Sequence, residues 1–298
     1  MPFATASDGV RLHYEETGSG TPIVFVHEFA GDHRSWEPQV RHFGRRYRVV
    51  AYAARGYPPS DVPAEESSYS QERAVDDVRD VLDALGVERA HIVGLSMGGY
   101  ASLIFGLTYP ERCLSITVAG AGYGSTADRS EFERDVERVA QRLLDEGIEA
   151  FGEVYTRGPT RVQFEDKDPR GFEEFRQQFR ESSTLGHANT MLGVQRNRPS
   201  ILALEERLRG LTVPTLIVTG DEDEPCLEPG LFMKRTIRSA ALVLIPRSGH
   251  TVNLEEPAAF NRSVEEFMAQ VDAGRWSERN PASLSESALL PAGERERG

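Results

Sequence analysis

The chain has 298 residues, of which 39% are hydrophobic and 27% are charged, a composition typical of a globular protein with a large buried core. Its net charge of -13 argues against nucleic acid and anionic membranes as partners, and no apolar run is long enough to span a bilayer. The first ten residues lack the pattern of a secretory signal, so we expect a cytoplasmic protein. Cys113 and Cys226 lack metal-ligand spacing. We expect a small-molecule substrate and a monomer or homodimer.

Apolar segments of strand length alternate with segments of helical period in the first part of the chain. Strands are predicted at residues 3–7, 10–16, 22–29, 47–54, 91–96 and 113–120. Helices are predicted at residues 35–43 and 70–85 and from about residue 97 onward. This alternation predicts an α/β fold with a mostly parallel central sheet flanked by helices.

The pattern changes after Gly124. Residues 125–209 are rich in charge and helical period and contain no good strand, with helices predicted at 131–147 and 171–180. Strands return at 213–220 and 241–246, and a last helix is predicted at 255–271. We therefore predict a core formed by residues 1–124 and 210–273, a helical cap at 125–209, and a disordered tail at 274–298, which is polar and aperiodic.

The stretch Gly94-Leu95-Ser96-Met97-Gly98 places a serine between a predicted strand and a predicted helix. This G-x-S-x-G context is typical of a nucleophile elbow, in which small neighbours let strand and helix approach closely. The N–H groups at the helix start, that of Met97 among them, are then free to bind a developing oxyanion. The alternative is a glycine-rich turn with an incidental serine, such as a phosphate-binding loop.

A serine nucleophile needs a base, and the base needs an acid that holds it in place. His250 follows the predicted strand 241–246 and precedes the last helix, so it is the favoured base. The other histidines are assigned to strands, a turn or a surface helix, and one to a solvated helix end; they are His13, His91, His33, His42 and His187. The acid candidates follow the strand 213–220, and they are Asp221, Glu222 and Asp223.

Taken together, "HEFAGDHRSW", "ARGYPPSD", "GLSMGGY", "GDEDEP" and "SGHTVNLEEP" resemble the α/β-hydrolase superfamily over residues 3–271. The order nucleophile, acid, base is that of the family. The resemblance selects Asp223 as the acid through the pattern G-x-x-D, with Asp221 as the runner-up. It also implies an oxyanion hole formed by the backbone N–H groups of Phe29 and Met97, and a helical cap over the active site.

Three residues depart from the family pattern, namely Ala53, Pro58 and Glu28, the last of which stands where the family has glycine. Two readings of Glu28 are open. Its side chain either points away from the cavity and pairs with Arg55 or Arg34, or it faces the cavity and is protonated or matched to a cationic or hydroxyl-bearing substrate.

The resemblance implies a serine hydrolase that cleaves a small apolar ester or lactone through an acyl-enzyme, without metal or organic cofactor. Carbon–carbon bond hydrolysis, perhydrolysis and thioester hydrolysis use the same residues, and a non-catalytic ligand-binding homologue is the alternative of another class. Possible site-lining residues are His27, Glu28, Tyr123, Phe172, Phe175 and Met191. For the cap aromatics, packing between cap and core is the alternative interpretation.

Overall fold

The computed structural model of the protein describes residues 2–284 and has an eight-stranded sheet at its centre. The strands are β1 (Phe3–Thr5), β2 (Arg11–Gly18), β3 (Pro22–Val26), β4 (Arg48–Tyr52), β5 (Ala90–Leu95), β6 (Cys113–Ala119), β7 (Thr215–Gly220) and β8 (Ala240–Ile245). Their spatial order is β1-β2-β4-β3-β5-β6-β7-β8, with antiparallel pairing only at β1–β2 and β2–β4. The predicted mostly parallel sheet is confirmed.

Helices cover both faces of the sheet, so the central strands β5 and β7 are buried along their whole length and do not alternate between buried and exposed residues. The helices are α1 (Glu37–Phe43), α2 (Gln71–Ala84), α3 (Met97–Thr108), α4 (Ser130–Tyr155), α5 (Val162–Lys167), α6 (Pro169–Arg180), α7 (Thr184–Asn189), α8 (Glu205–Arg209), α9 (Glu224–Thr236), α10 (Val252–Glu255) and α11 (Pro257–Asp272). A π-helical turn, Thr190–Gln195, continues α7. The 3-10 turns are His33–Trp36, Glu66–Ser68, Pro110–Arg112, Pro159–Arg161, Ile201–Leu204 and Pro281–Leu284.

The apolar core is divided by the sheet. On one side, side chains of α2, α3 and α9 pack against the strands, and on the other side those of α1 and α11 do so. Helix α2 illustrates why the sequence predicts these elements well. The Ser70 side chain accepts a hydrogen bond from the Arg73 N–H at 3.0 Å and caps the helix, and Val75, Val78 and Val81 form its buried face.

Helices α4 to α7 form the helical insertion between β6 and β7. Helix α4 is longer than the predicted helix 131–147, because the chain kinks at Gly147, with φ of 79°, and then resumes as a helix. Aromatic and aliphatic side chains of the insertion form an apolar cluster with Phe29 and Met97 of the core, which we call the cap cluster. The segment 201–211 does not join this cluster. It packs against the face of the sheet that α2, α3 and α9 cover, since Ile201 belongs to the same cluster as the buried Met233 of α9.

Residues 274–284 differ from the disorder predicted for them. Trp276 donates a hydrogen bond from its indole N–H to the Ser239 carbonyl at 2.7 Å, and its ring packs edge-on against Phe267 at 4.6 Å. One aromatic side chain thus ties a polar segment to the sheet edge, while residues 285–298 lie outside the described residues. In the part of the chain that the structure describes, none of the helices combines the length and apolarity needed to cross a bilayer.

Candidate active site

Ser96 lies at a strained turn between β5 and α3. Its φ of 56° and ψ of -113° fall in a region that residues other than glycine rarely adopt. The glycines on either side are required by close approach, because a Cβ added at Gly94 would lie 2.1 Å from the Gly98 carbonyl oxygen. A Cβ at Gly98 would lie 2.0 Å from the Val26 carbonyl oxygen. The sequence Gly-x-Ser-x-Gly therefore folds into a turn that presents a half-buried serine hydroxyl at the end of the sheet.

The contact of Gly98 with the end of β3 places the start of α3 beside residues 27–29. Met97 is the first residue of α3, and the N–H groups of a first helical turn have no partner inside the helix. The Phe29 N–H makes no hydrogen bond within residues 2–284. The Phe29 carbonyl accepts a hydrogen bond from the Tyr57 hydroxyl at 2.9 Å, which fixes this loop. Two backbone donors are thus free in the same region of the molecule.

Both ring nitrogens of His27 form hydrogen bonds with the backbone, which fixes the loop of residues 27–29. Its Nε2 accepts a hydrogen bond from the Ala54 N–H at 3.0 Å, so the ring proton is on Nδ1, which donates to the Glu28 carbonyl at 2.7 Å. Burial lowers the pKa of His27, so the ring is neutral, as this pattern of one donor and one acceptor requires.

His250 and Asp223 form a buried pair. The Nδ1 atom of His250 lies 2.8 Å from Oδ2 of Asp223, and both side chains are at least nine-tenths buried. Burial alone disfavours charge on both groups, but their mutual attraction outweighs it: the pKa of Asp223 is lowered and the pKa of His250 is raised. Asp221, the runner-up, instead accepts a hydrogen bond from the Ser248 N–H at 3.3 Å. The structure therefore brings Asp223 and not Asp221 to the histidine.

Gly120, directly after β6, is where the serine turn and the acid–base pair meet. The Ser96 N–H donates to the Ala119 carbonyl at 2.7 Å. A Cβ at Gly120 would lie 3.2 Å from the His250 carbonyl oxygen and 3.6 Å from Oδ2 of Asp223. The Ser96 hydroxyl makes no hydrogen bond within the described residues, and such bonds commonly tighten only when a substrate is bound.

Sequence reasoning missed the residues that support the histidine loop. The buried Glu255 carboxylate accepts hydrogen bonds from the N–H groups of Gly249 and Thr251, at 2.6 and 2.9 Å. The His250 N–H donates to the Thr160 carbonyl of the cap at 3.1 Å. The T-x-x-x-E spacing of Thr251 and Glu255, directly after the loop histidine, is a weak signal, and nothing local in the sequence indicates the contact with the helical insertion.

The structure corrects the partner expected for Glu28. Its side chain is 1% exposed, and Oε2 accepts a hydrogen bond from Nη2 of Arg161. Both predicted partners are wrong because each is held by a nearer carboxylate: Arg55 by Asp77 at 2.7 Å, and Arg34 by its neighbour Asp32, also at 2.7 Å. Glu28 is therefore not directed into solvent, and its partner comes from the cap.

The other residues predicted to line the site have different surroundings. Phe175 lies next to Arg161, with its ring centroid 5.6 Å from the guanidinium carbon, and Met191 belongs to the cap cluster. Phe172 packs inside the cap against Phe164 at 5.6 Å, which agrees with the packing alternative. Tyr123 is 49% exposed.

His187 is not the solvated helix-end residue that its position suggests. It is 1% exposed, its ring lies 5.0 Å from Phe29 and 4.4 Å from Tyr57, and burial lowers its pKa to about 3. Packing of the helical insertion onto the loop of residues 27–29 buries it, and the neutral imidazole packs there against both rings.

Two groups of side chains have metal-ligand atoms within 4.8 Å of one another in the described part of the chain: His13, Glu15 and His33, and Asp223, Cys226 and His250. In the second group, histidine and aspartate are hydrogen-bonded to each other, and the Cys226 thiol donates to the Gly120 carbonyl at 3.3 Å.

Comparisons with known proteins agree with this architecture. The family model described as "alpha/beta hydrolase fold" matches residues 21–257. A 3-oxoadipate enol-lactonase of Acinetobacter baylyi is 30% identical over 250 residues, which covers 84% of this chain and 89% of that protein. A 2-hydroxy-6-oxononadienedioate/2-hydroxy-6-oxononatrienedioate hydrolase of Burkholderia vietnamiensis is 29% identical, with 87% and 91% covered. A solved, malate-bound thermophilic esterase from Thermogutta terrifontis is 27% identical, with a TM-score of 0.80 and 91% and 98% covered.

Proposed function

The chain belongs to the α/β-hydrolase family, and on this premise we propose that Ser96, His250 and Asp223 are the catalytic triad of a serine hydrolase. The observation that carries the proposal is that a strained, half-buried serine and a buried imidazole–carboxylate pair with a 2.8 Å contact both adjoin residues 119–120 at the end of β6. Backbone strain and buried charge both cost stability, and they persist where function requires them.

The chemistry follows from the positions of these groups. The Ser96 hydroxyl attacks an acyl carbon while Nε2 of His250 takes its proton, and the same proton then passes to the leaving group. Asp223 holds the imidazole in the tautomer with hydrogen on Nδ1 and stabilises the imidazolium. Water then attacks the acyl-enzyme and gives a proton to His250, and His250 passes this proton to the departing oxygen of Ser96, which releases the acid and the free serine.

The N–H groups of Met97 and Phe29 are proposed as the oxyanion hole. The Met97 N–H lies at the start of α3, and the Phe29 N–H lies in the loop that packs on it. Neither N–H group donates a hydrogen bond within a helix or strand. Losing one such donor typically slows the reaction by about 100- to 1,000-fold. The positive end of the α3 dipole adds to the stabilisation of an oxyanion formed at Ser96.

We propose a small ester or lactone as the substrate. The similarity to an enol-lactonase and to an esterase supports this choice. Carbon–carbon bond hydrolysis is the second candidate, because the Burkholderia vietnamiensis relative is named for a keto diacid rather than an ester. The apolar side chains of the cap cluster suit a small organic acyl group in either case.

Purified protein assayed against p-nitrophenyl esters, five- and six-membered lactones, and vinylogous diketones distinguishes these candidates. We expect saturable turnover of the esters or lactones, and loss of that turnover in Ser96→Ala with an unchanged melting temperature. Turnover of diketones alone would favour the second candidate. Ser96→Ala protein that keeps more than a few per cent of the activity would contradict the triad.

A further inference from the structure

Arg161 is a buried cation next to the proposed base. It ends the 3-10 turn Pro159–Arg161, and the carbonyl of the preceding Thr160 accepts the hydrogen bond from the His250 N–H. The guanidinium lies against the rings of Tyr155 and Phe175, at 5.7 and 5.6 Å. These two aromatic contacts hold the planar guanidinium in place, and the N–H groups in its plane can still donate hydrogen bonds.

Neither member of the Arg161–Glu28 pair is fully satisfied. Nη2 of Arg161 donates to Glu28, Nη1 makes one long contact of 3.4 Å to the Thr160 hydroxyl, and Nε has no acceptor within residues 2–284. On the other side, Oε1 of Glu28 is buried and has no donor in the same range. Unsatisfied buried atoms are costly, and these atoms leave a hydrogen-bonding position open on each member of the pair.

We propose that Arg161 binds a carboxylate group of the substrate, and that the Glu28 carboxylate occupies this position when no substrate is bound. The proposal rests on the triad assignment and narrows the substrate to an ester or lactone that carries a second, ionised carboxyl group. An arginine fork binds a carboxylate through two parallel hydrogen bonds, and a buried guanidinium discriminates strongly against a neutral group in the same place.

The two charges then have opposite effects. Removing the charge of Arg161 removes the attraction for the substrate carboxylate. Removing the charge of Glu28 removes the group that competes with the substrate carboxylate for Arg161. It also leaves the buried charge of Arg161 without a counter-charge, so carboxylate substrates should bind more tightly. If the pair were only a clamp between cap and core, both changes would affect charged and neutral substrates alike.

The test compares p-nitrophenyl hydrogen glutarate with p-nitrophenyl pentanoate, an uncharged ester of the same acyl length. In Arg161→Gln we expect kcat/KM for the glutarate ester to fall by about 10- to 100-fold, mainly through KM, with less than about a threefold change for the pentanoate ester. In Glu28→Gln we expect KM for the glutarate ester to decrease. Arg176→Gln is the matched control, because Arg176 is a buried cap arginine paired with Glu153 and Glu173; it should leave the preference between the two esters unchanged.

The double variant Glu28→Gln/Arg161→Gln leaves neither charge buried alone, so it decides the matter if a single variant fails to fold. Loss of the glutarate preference in the double variant supports the proposal. Equal effects on both esters, or a wild-type protein without preference for the glutarate ester, would overturn it. If neither ester is hydrolysed, the proposal of an ester substrate fails separately, and calorimetric titration with glutarate still tests Arg161: binding that Arg161→Gln abolishes supports the carboxylate site, and absence of binding rejects it.

Discussion

Replacement of Asp223 by asparagine is the substitution whose effect the geometry determines most directly. The carboxylate oxygen lies 2.8 Å from Nδ1 of His250, and the pair is buried. Asparagine preserves the shape but removes the charge, and its amide can turn a donor toward Nδ1, which moves the ring proton to Nε2 and blocks proton uptake from Ser96. The imidazolium formed during the reaction then has no counter-charge.

The size of the loss follows from the distance. Two unit charges 2.8 Å apart attract each other by about 6 kcal/mol at an effective dielectric constant of about 20. This energy corresponds to roughly four orders of magnitude in rate, in line with the loss of about 10⁴ in kcat expected for an aspartate-to-asparagine change in a triad. We therefore expect Asp223→Asn to reduce kcat by about 10⁴.

The assay is steady-state hydrolysis of a p-nitrophenyl ester, with circular dichroism to confirm folding. Asp221→Asn is the matched control, because Asp221 stands two residues away and its side chain makes a single hydrogen bond within residues 2–284, from the Ser248 N–H at 3.3 Å. It should cost less than about tenfold, since the asparagine amide oxygen can still accept this hydrogen bond and only the negative charge is lost. A larger loss in Asp221→Asn than in Asp223→Asn would refute the assignment of the acid.

Because folding raises the pKa of His250 above the ordinary 6.5 and only the neutral ring accepts a proton, kcat/KM should rise with pH through an inflection above 6.5; an inflection below that value would contradict the pairing. Limited proteolysis should cut within residues 125–209 before the sheet, a covalent inhibitor on Ser96 should protect them, and uniform resistance would argue for a rigid cap. Gly98→Ala should prevent folding or greatly lower the melting temperature, since its Cβ would lie 2.0 Å from the Val26 carbonyl oxygen. Gly210→Ala should be tolerated, because the atom nearest to its Cβ would be 3.5 Å away. Equal melting temperatures of the two variants would show that the turn at Ser96 is not tightly packed.

Local features explain what the sequence predicts well. The strands have the length and uniform apolarity of buried parallel strands, and α2 carries a serine cap and a regular apolar face. The elbow depends on short-range geometry, because the glycines that flank Ser96 must lack side chains for the strand and helix to touch. Features of this kind are determined by neighbouring residues, so a single sequence reveals them.

Contacts between distant segments explain the misses. Arg161 is 133 residues from Glu28 in the sequence, and no periodicity or spacing links them. His187 is buried only because the cap docks on the loop that contains Phe29, and Trp276 is held only because the Ser239 carbonyl lies at the sheet edge. In each case the partner is chosen by tertiary packing, which overrides what the local composition indicates.

Labelling with a fluorophosphonate is the most direct test of the central claim, that Ser96 is an activated nucleophile. The reagent reacts with serine hydroxyls activated by a neighbouring base, so folded protein should gain one adduct, located at Ser96 by mass spectrometry of the digested chain. Ser96→Ala protein with the same circular dichroism spectrum should gain none. Folded wild-type protein that remains unlabelled at Ser96, or that is labelled equally in the Ser96→Ala variant, would contradict the account.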